Sequence, residues 1–282
     1  MPPSSDNSPI KACIFDWAGT MIDFGCCAPV VALHGAFAEI GLSLSDAEAR
    51  ADMGMAKRAH IHAILSRAPQ RSAFEAMAGR APADADIDDL FRRVEPRMVA
   101  AAGQHTRLID GATELVRYLR TKGVRIGSGT GYSRSMMGQI LAAAADQGYA
   151  PDLVVCAGET LEGRPSPLMT WKALVELGVW PARTAIKVDD AVVGIHEGCE
   201  AGTWTLGVAA SGNGVGLPLD AFLSLTPEQR QARTMPAAQA LAEAGADYVV
   251  GSVADILGLL PEIEDRIRAG ERPGTAPCRI SI

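Results

Sequence analysis

Ala12-Cys13-Ile14-Phe15-Asp16-Trp17-Ala18-Gly19-Thr20 joins a short apolar run to a carboxylate and then to a glycine-containing turn. Four apolar residues in a row read as a buried strand. A carboxylate at the end of such a strand suits a nucleophile aimed at a phosphorus centre. Short apolar, often β-branched runs of the same kind recur at 124–128, 153–157, 185–188, 203–208 and 247–250. Between most of them lie amphipathic stretches of helical period, at 113–121, 134–145, 168–177, 193–201 and 237–244. This alternation predicts an α/β fold, a doubly wound, mostly parallel Rossmann-like sheet with helices on both faces. Gly123, Gly178, Gly202 and Gly245 each stand just before a strand, where helix C-terminal glycines belong.

One interval breaks the rhythm. From 25 to 103 no strand is evident, and Ala, Arg, Glu and Met dominate. Its helical stretches are 28–40, 45–65 and about 86–101, separated by Pro69, Pro82 and their neighbours. Residues 1–24 and 104–282 therefore form the expected core domain, and 25–103 an inserted helical cap over the carboxyl edge of the sheet. In open α/β sheets the ligand crevice lies at that edge. The tail from 270 to 282, with Pro273, Gly274 and Pro277, reads as irregular.

The bulk properties exclude more than they identify. A chain of 282 residues, 48% hydrophobic, can bury a substantial core. A net charge of -7 leaves no basic stripe to displace counterions from nucleic acid. The start, Met1 to Ser8, is polar and breaker-rich, unlike a signal or transit peptide, and no apolar run approaches membrane-spanning length. Six scattered cysteines without Cys-x-x-Cys spacing fit reduced thiols of a cytoplasmic protein and offer no zinc site.

Four strand ends offer reactive groups. Asp16 ends the first. Ile126-Gly127-Ser128-Gly129-Thr130-Gly131-Tyr132 ends the second with hydroxyls and backbone amides suited to phosphate-like oxygens, or is an ordinary glycine-rich turn. Gly163-Arg164-Pro165 sets a guanidinium before a helix, where it can clamp an oxyanion or face solvent. Val188-Asp189-Asp190 supplies two carboxylates, which with Asp16 suit a hard divalent cation such as Mg²⁺, although such pairs also cap helices.

Many phosphoryl-transfer enzymes with a strand-end Asp carry a second Asp two places on, as acid and base for an alcohol leaving group. Here that position is Ala18, which can do neither. The helical region offers a complement. Helical spacing through 53–65 aligns Met53, Lys57, His60, Ile61 and Ile64, an apolar stripe holding an amine and an imidazole. Lys57 either snorkels to water along this stripe or is desolvated, which lowers its pKa and suits Schiff-base chemistry. His60 and His62, two residues apart on a helix, diverge and do not form a metal pair. If the bond to be broken is P–C, the difficulty is the carbanion left behind. An iminium on Lys57 accepts those electrons as an enamine, so the missing acid and the buried amine explain each other.

The order Asp, Ser/Thr, Arg, Asp pair resembles the haloacid dehalogenase-like superfamily. Within it the chain resembles the phosphonoacetaldehyde hydrolase (phosphonatase) family from about Ile10 to Val208, and more loosely to Leu260. The matching stretches are Phe15 to Thr20 with Asp23 and Gly25-Cys26, Met53-Gly54-x-x-Lys57-x-x-His60, and Gly131-Tyr132 with Met136-Met137. Gly163-Arg164-Pro165, Val188-Asp189-Asp190 and Ala201-Gly202-x-Trp204-Thr205-x-Gly207 complete them. The resemblance implies hydrolysis of the P–C bond of phosphonoacetaldehyde to acetaldehyde and phosphate, in the degradation of 2-aminoethylphosphonate. It implies Asp16 as nucleophile, Mg²⁺ on Asp16, the Ala18 carbonyl oxygen and Asp190, and an imine on Lys57. His60, Met53 and Cys26 would shape the lysine's surroundings and assist proton transfer. Ser128 or Thr130 and Arg164 would bind phosphonate oxygens, and the enzyme would be a homodimer joined through its caps.

Four positions depart from the family pattern. Gly-Asp-x-x-x-Asp is usual around the last of these motifs, whereas here the first position is Asp189 and the last Gly194. Asp52 stands where a Pro precedes the Met-Gly pair, and Gly129 replaces a Thr. Two rival readings are a phosphomonoesterase or phosphomutase on the same fold and a catalytically silent binding protein. Ala18 opposes the first. The retention of Asp16, the Asp pair and Lys57 together opposes the second.

Overall fold

The computed structural model describes residues 8–282, and most of the polar leader read above, Met1 to Asn7, lies outside the described residues. Strand β1 (Ala12–Phe15) is the apolar run that opens the chain's first motif, and all four of its residues are buried. Alternate side chains leave it on opposite faces, as strand geometry requires. Cys13 and Phe15 enter one hydrophobic cluster together with Leu115, Val116 and Leu119, whereas Ala12 and Ile14 enter another with Met169, Ala173 and Leu174.

The insert follows at once, as helices α1 (Ala28–Glu39), α2 (Asp46–Arg50), α3 (Lys57–Ser66), α4 (Ala68–Ala78) and α5 (Asp84–Ala102). No strand occurs in it among the described residues. Helix α1 packs along α5, and α3 packs on α4 and α5. The buried faces carry Leu33 and Phe37, Ile61 and Ile64, and Val94 and Met98.

The remaining elements alternate: α6 (Ala112–Thr121), β2 (Arg125–Thr130), α7 (Arg134–Asp146), β3 (Leu153–Cys156), α8 (Leu168–Glu176), β4 (Ala185–Asp189), α9 (Val192–Ala201) and β5 (Trp204–Val208). Then come α10 (Leu219–Leu223), α11 (Pro227–Glu243), β6 (Tyr248–Val250), α12 (Leu260–Arg268) and β7 (Arg279–Ser281). The strands form one sheet in the order β3-β2-β1-β4-β5-β6-β7, every pair parallel. No described helix is long and apolar enough to cross a membrane.

Three expectations need correction. The stretch 45–65 is not one helix: it breaks between α2 and α3, where Gly54 takes a φ of +96°. Met53 therefore lies in a turn ahead of α3 rather than on its stripe. Helix α4 was hidden by Pro69, which acts as an initiator in its first turn, where no N–H is needed. The tail is not irregular throughout, because β7 pairs in parallel with β6, Ile280 opposite Val249. Its exposed residues carry no burial pattern to betray a strand.

Candidate active site

The strand order reverses at β1, which pairs with β2 on one side and β4 on the other. Crevices open beyond the carboxyl ends of strands at such a switch point. Register then brings the two carboxylate-bearing ends together. Phe15 lies opposite Val188, and the Asp16 backbone N–H donates to the Val188 carbonyl oxygen at 2.9 Å. The turn after Asp16 wraps around the other carboxylate. A Cβ on Gly19 would fall 2.4 Å from Asp190 Oδ2, so only glycine fits there. Thr20 Oγ1 donates to Asp190 Oδ1 at 3.2 Å, and the Asn213 N–H donates to Asp190 Oδ2 at 2.7 Å.

A charged network is buried beneath this crevice. Arg164 donates to Asp16 Oδ1 at 2.7 Å, Glu197 Oε2 at 2.8 Å and the Gly129 carbonyl oxygen at 2.9 Å, and lies 3.3 Å from Asp189 Oδ2. Lys187, mid-strand in β4, donates to Asp189 Oδ2 at 2.6 Å and sits 3.4 Å from Glu197. Thr170 donates to the second oxygen of Glu197 at 2.8 Å. Four carboxylates (Asp16, Asp189, Asp190, Glu197) thus face two cations (Arg164, Lys187), all buried. With all four ionised, these carboxylates outnumber the two cations by two.

The carboxylates do not share that deficit evenly. Burial works against an ionised Asp189, yet Arg164 and Lys187 hold its carboxyl below the usual range, and both its oxygens are engaged, Oδ1 by the Ala191 N–H at 3.1 Å. Asp190 meets only neutral donors, and burial, with Asp16 and Asp189 nearby, pushes its carboxyl well up. Burial and then Asp189 raise Asp16 to about 6, against Arg164 and Lys187. Oxygens of Asp16, Asp189 and Asp190 approach within 4.8 Å of one another. The donor set fits a hard divalent cation: Asp190 has no cationic partner, and Asp16 has Arg164 on Oδ1 alone.

The insert supplies the opposite wall. Lys57 opens α3 and is 3% exposed. Its Nζ lies 3.9 Å from Met53 Sδ and 5.6 Å from the centroid of the Tyr132 ring. Burial lowers its pKa to about 8, against the pull of Cys26 and Asp16. Asp16, Ala18, Cys26, Met53, Lys57, Thr130, Tyr132 and Asp190 all line one cavity of about 20 Å³, room for about one water. Asp52, where the family pattern has Pro, accepts both guanidinium nitrogens of Arg67 and so braces the turn that presents Met53.

Several predicted site residues stand elsewhere. His60 does not line the cavity: it is fully buried one turn beyond Lys57, and burial followed by the Lys57 charge lowers its pKa to about 2. Ser128 Oγ accepts from the Trp17 indole N–H below the cavity, leaving Thr130 as the hydroxyl on its wall. Arg164 directs its guanidinium at protein acceptors rather than at open space. Tyr132 had been noted only as part of a motif, yet it lines the wall and its buried hydroxyl has no protein partner. Glu197 and Asn213 were missed. Lys187 was the available signal for Glu197, since a lysine inside a fully buried strand demands an acidic partner.

A family model of haloacid dehalogenase-like hydrolases matches residues 10–202. The chain is 46% identical to a phosphonoacetaldehyde hydrolase from Paraburkholderia phytofirmans, over 94% of this chain and 99% of that protein. It is 41% identical to one from Vibrio cholerae, over 95% and 99% of the two chains. The crystal structure of a phosphonoacetaldehyde hydrolase-like protein from Oleispira antarctica superposes with a TM-score of 0.93 at 38% identity, covering 97% of this chain and all 100% of that one.

The departure at 189 and 194 has a steric explanation. A Cβ on Gly194 would fall 2.0 Å from Asp189 Cγ, so the Asp189 carboxylate fills the space that a side chain from 194 would enter. The two positions should therefore be exchangeable only as a pair. Asp189→Gly leaves Lys187 short of its nearest partner, and Gly194→Asp drives two carboxylates into one space. Each is expected to cost about 3 kcal/mol in urea unfolding. Asp189→Gly/Gly194→Asp is expected to recover at least half of that loss, and a double variant no more stable than the weaker single one would refute the exchange.

Proposed function

The chain belongs to the haloacid dehalogenase-like hydrolases, and within them to the phosphonoacetaldehyde hydrolase family; from that premise we propose that it hydrolyses the P–C bond of phosphonoacetaldehyde to acetaldehyde and phosphate. One observation carries the reading. The Lys57 amine and the Asp16 carboxylate line the same cavity, with Ala18 in place of an acid. Residues 25–103 are taken as a cap over a core of 1–24 and 104–282, and a cavity with room for one water means the cap must lift to admit substrate.

In this reading the Lys57 amine adds to the aldehyde carbon and water leaves, giving an iminium. The Asp16 carboxylate then attacks phosphorus, the P–C bond breaks, and its electron pair moves into the iminium to form an enamine. Phosphorus is left on Asp16 as an acyl phosphate. Protonation of the enamine carbon and addition of water release acetaldehyde and free Lys57, and a second water releases phosphate from Asp16. The sum consumes one net water. Mg²⁺, held by Asp16, the Ala18 carbonyl oxygen and Asp190, would neutralise charge between the carboxylate and the phosphonate.

Burial keeps Lys57 partly neutral near neutral pH, and Met53 and Tyr132 keep its surroundings poor in charge. Arg164 aims Asp16 and sets a fixed positive charge behind the incoming phosphonate. Thr130 is the hydroxyl placed to meet a phosphonate oxygen, and Cys26 flanks the amine. His60 acts through Lys57, as a neutral group that limits the lysine's movement. A cytoplasmic homodimer joined through the caps completes the proposal.

Borohydride added with phosphonoacetaldehyde is expected to inactivate the enzyme by reducing an adduct on Lys57, located by peptide mass. An adduct on another lysine, or inactivation that needs no substrate, counts against the imine. Phosphate release from phosphonoacetaldehyde is expected to exceed that from a simple phosphate ester by at least about 10³-fold, and comparable rates would favour a phosphatase instead.

The pH dependence follows from the sign of the lysine shift. The amine must be neutral to add to the aldehyde, and its pKa is lowered to about 8. The rate of borohydride trapping at low substrate is expected to fall tenfold per unit as pH drops below about 8. Lys57→Arg cannot form the imine, and is expected to lose P–C cleavage while binding phosphate normally. A profile flat between pH 6 and 8 would show that the amine is not the titrating nucleophile.

A further inference from the structure

Arg50 closes α2 and stands outside the cavity wall. Its guanidinium bridges the insert and the core. Nη1 donates to the Gly25 carbonyl oxygen at 2.9 Å, to that of Cys26 at 3.3 Å and to Asn213 Oδ1 at 3.1 Å, while Nη2 donates to the Gly216 carbonyl oxygen at 3.0 Å. Asn213 Nδ2 donates back to the Arg50 carbonyl oxygen at 3.0 Å. The backbone N–H of the same Asn213 donates to Asp190 Oδ2 at 2.7 Å. Two residues thus connect the insert to a carboxylate of the cation site.

The fit around this bridge is close. A Cβ on Gly216 would fall 2.8 Å from Arg50 Nε, and one on Gly25 would fall 2.2 Å from the Leu217 carbonyl oxygen. Both glycines have positive φ. Gly25 and Cys26 open the insert ahead of α1, whereas Asn213 and Gly216 belong to the loop after β5. Of the bonds that Arg50 makes, those to Asn213 and Gly216 cross to the core and must part when the insert lifts; Glu95 of α5 also accepts across the same boundary from Ser133 and Ser135.

We propose that Arg50 is a positioning residue that couples the seating of the helical insert to the orientation of Asp190 through Asn213. It rests on the reading of Asp190 as a metal ligand. The Asn213 N–H fixes Asp190 best while its own backbone is held, and the guanidinium fork with the returning amide bond ties that residue to the insert. With the insert lifted, Asp190 keeps a donor on a looser loop, and cation binding must then order both. By reciprocity, a cation that fixes Asp190 favours the seated insert by the same factor.

Asn213→Ala cuts the side-chain link but keeps the backbone N–H that meets Asp190, and Arg50→Ala removes the guanidinium. Calorimetric titration of the full chain with MgCl₂ is expected to give a dissociation constant raised about tenfold in either variant. The double variant is expected to bind no more weakly than the weaker single one. Added Mg²⁺ is expected to slow amide hydrogen exchange across residues 45–56 in the wild type and not in Asn213→Ala. Wild-type Mg²⁺ affinity in Asn213→Ala, or single losses that multiply in the double variant, overturns the coupling. Should Arg50→Ala fail to fold, the Asn213→Ala affinity and exchange decide alone. Wild-type affinity in Asp190→Asn would instead overturn the metal reading and the proposal with it.

Discussion

The ion pair between Arg164 and Asp16, 2.7 Å long and almost wholly excluded from water, is the contact on which the rest of the site depends. It ties a loop after β3 to the end of β1. Through Glu197 and Asp189 the same guanidinium reaches α9 and the end of β4. Removing such charges from water costs several kcal/mol each, which pairing only roughly offsets. A purely structural core would do as well with apolar side chains. What the charges provide is geometry: four elements meet at the switch point with their carboxylates aimed and their surplus negative charge concentrated at Asp16 and Asp190.

That surplus also explains the insert. A lysine amine facing two undercompensated carboxylates would ordinarily be held protonated by them. Here burial outweighs the pull of Cys26 and Asp16, and the Lys57 pKa falls rather than rises. Met53 and Tyr132, which lie beside the amine, carry no charge. His60, held neutral behind the lysine, adds no competing charge. The site therefore sets two unlike walls on one small cavity, carboxylates on the sheet side and a single desolvated amine among uncharged side chains on the helical side.

How much of this was legible in the sequence varied with the kind of signal. The strands announced themselves because strands covered on both faces are mostly apolar, and β1, β4 and β5 are buried throughout, with Lys187 and Asp189 the charged exceptions in β4. Strand β7 is exposed at every residue and so left no such mark. Asp16, Asp190 and Lys57 were legible because each sits at the start or end of an element with a distinctive neighbour. Arg164 and Ser128 were named, but their partners were not. A side chain's acceptors depend on which distant elements the fold brings beside it, and Glu197 is 33 residues from Arg164. The turn at Met53 was misread as helix because a Met-Gly pair between two helical stretches keeps the apolar spacing while breaking the backbone.

The cavity's size sets a limit on the proposed chemistry that the charges alone do not. Two steps of that scheme consume water, and one expels it. A space of about 20 Å³ holds a single water beside the reacting groups and no substrate. The dryness that lowers the Lys57 pKa and the water that hydrolyses its enamine product therefore cannot be at their best in one arrangement of the insert. Iminium formation and P–C cleavage gain from a seated insert, because a low dielectric strengthens the interaction of Asp16 with the phosphonate. Release of acetaldehyde and phosphate gains from a lifted one. An enzyme of this design has to pass between the two in every turnover, so the contacts that hold the insert down belong to its catalytic cycle as much as the groups that touch phosphorus.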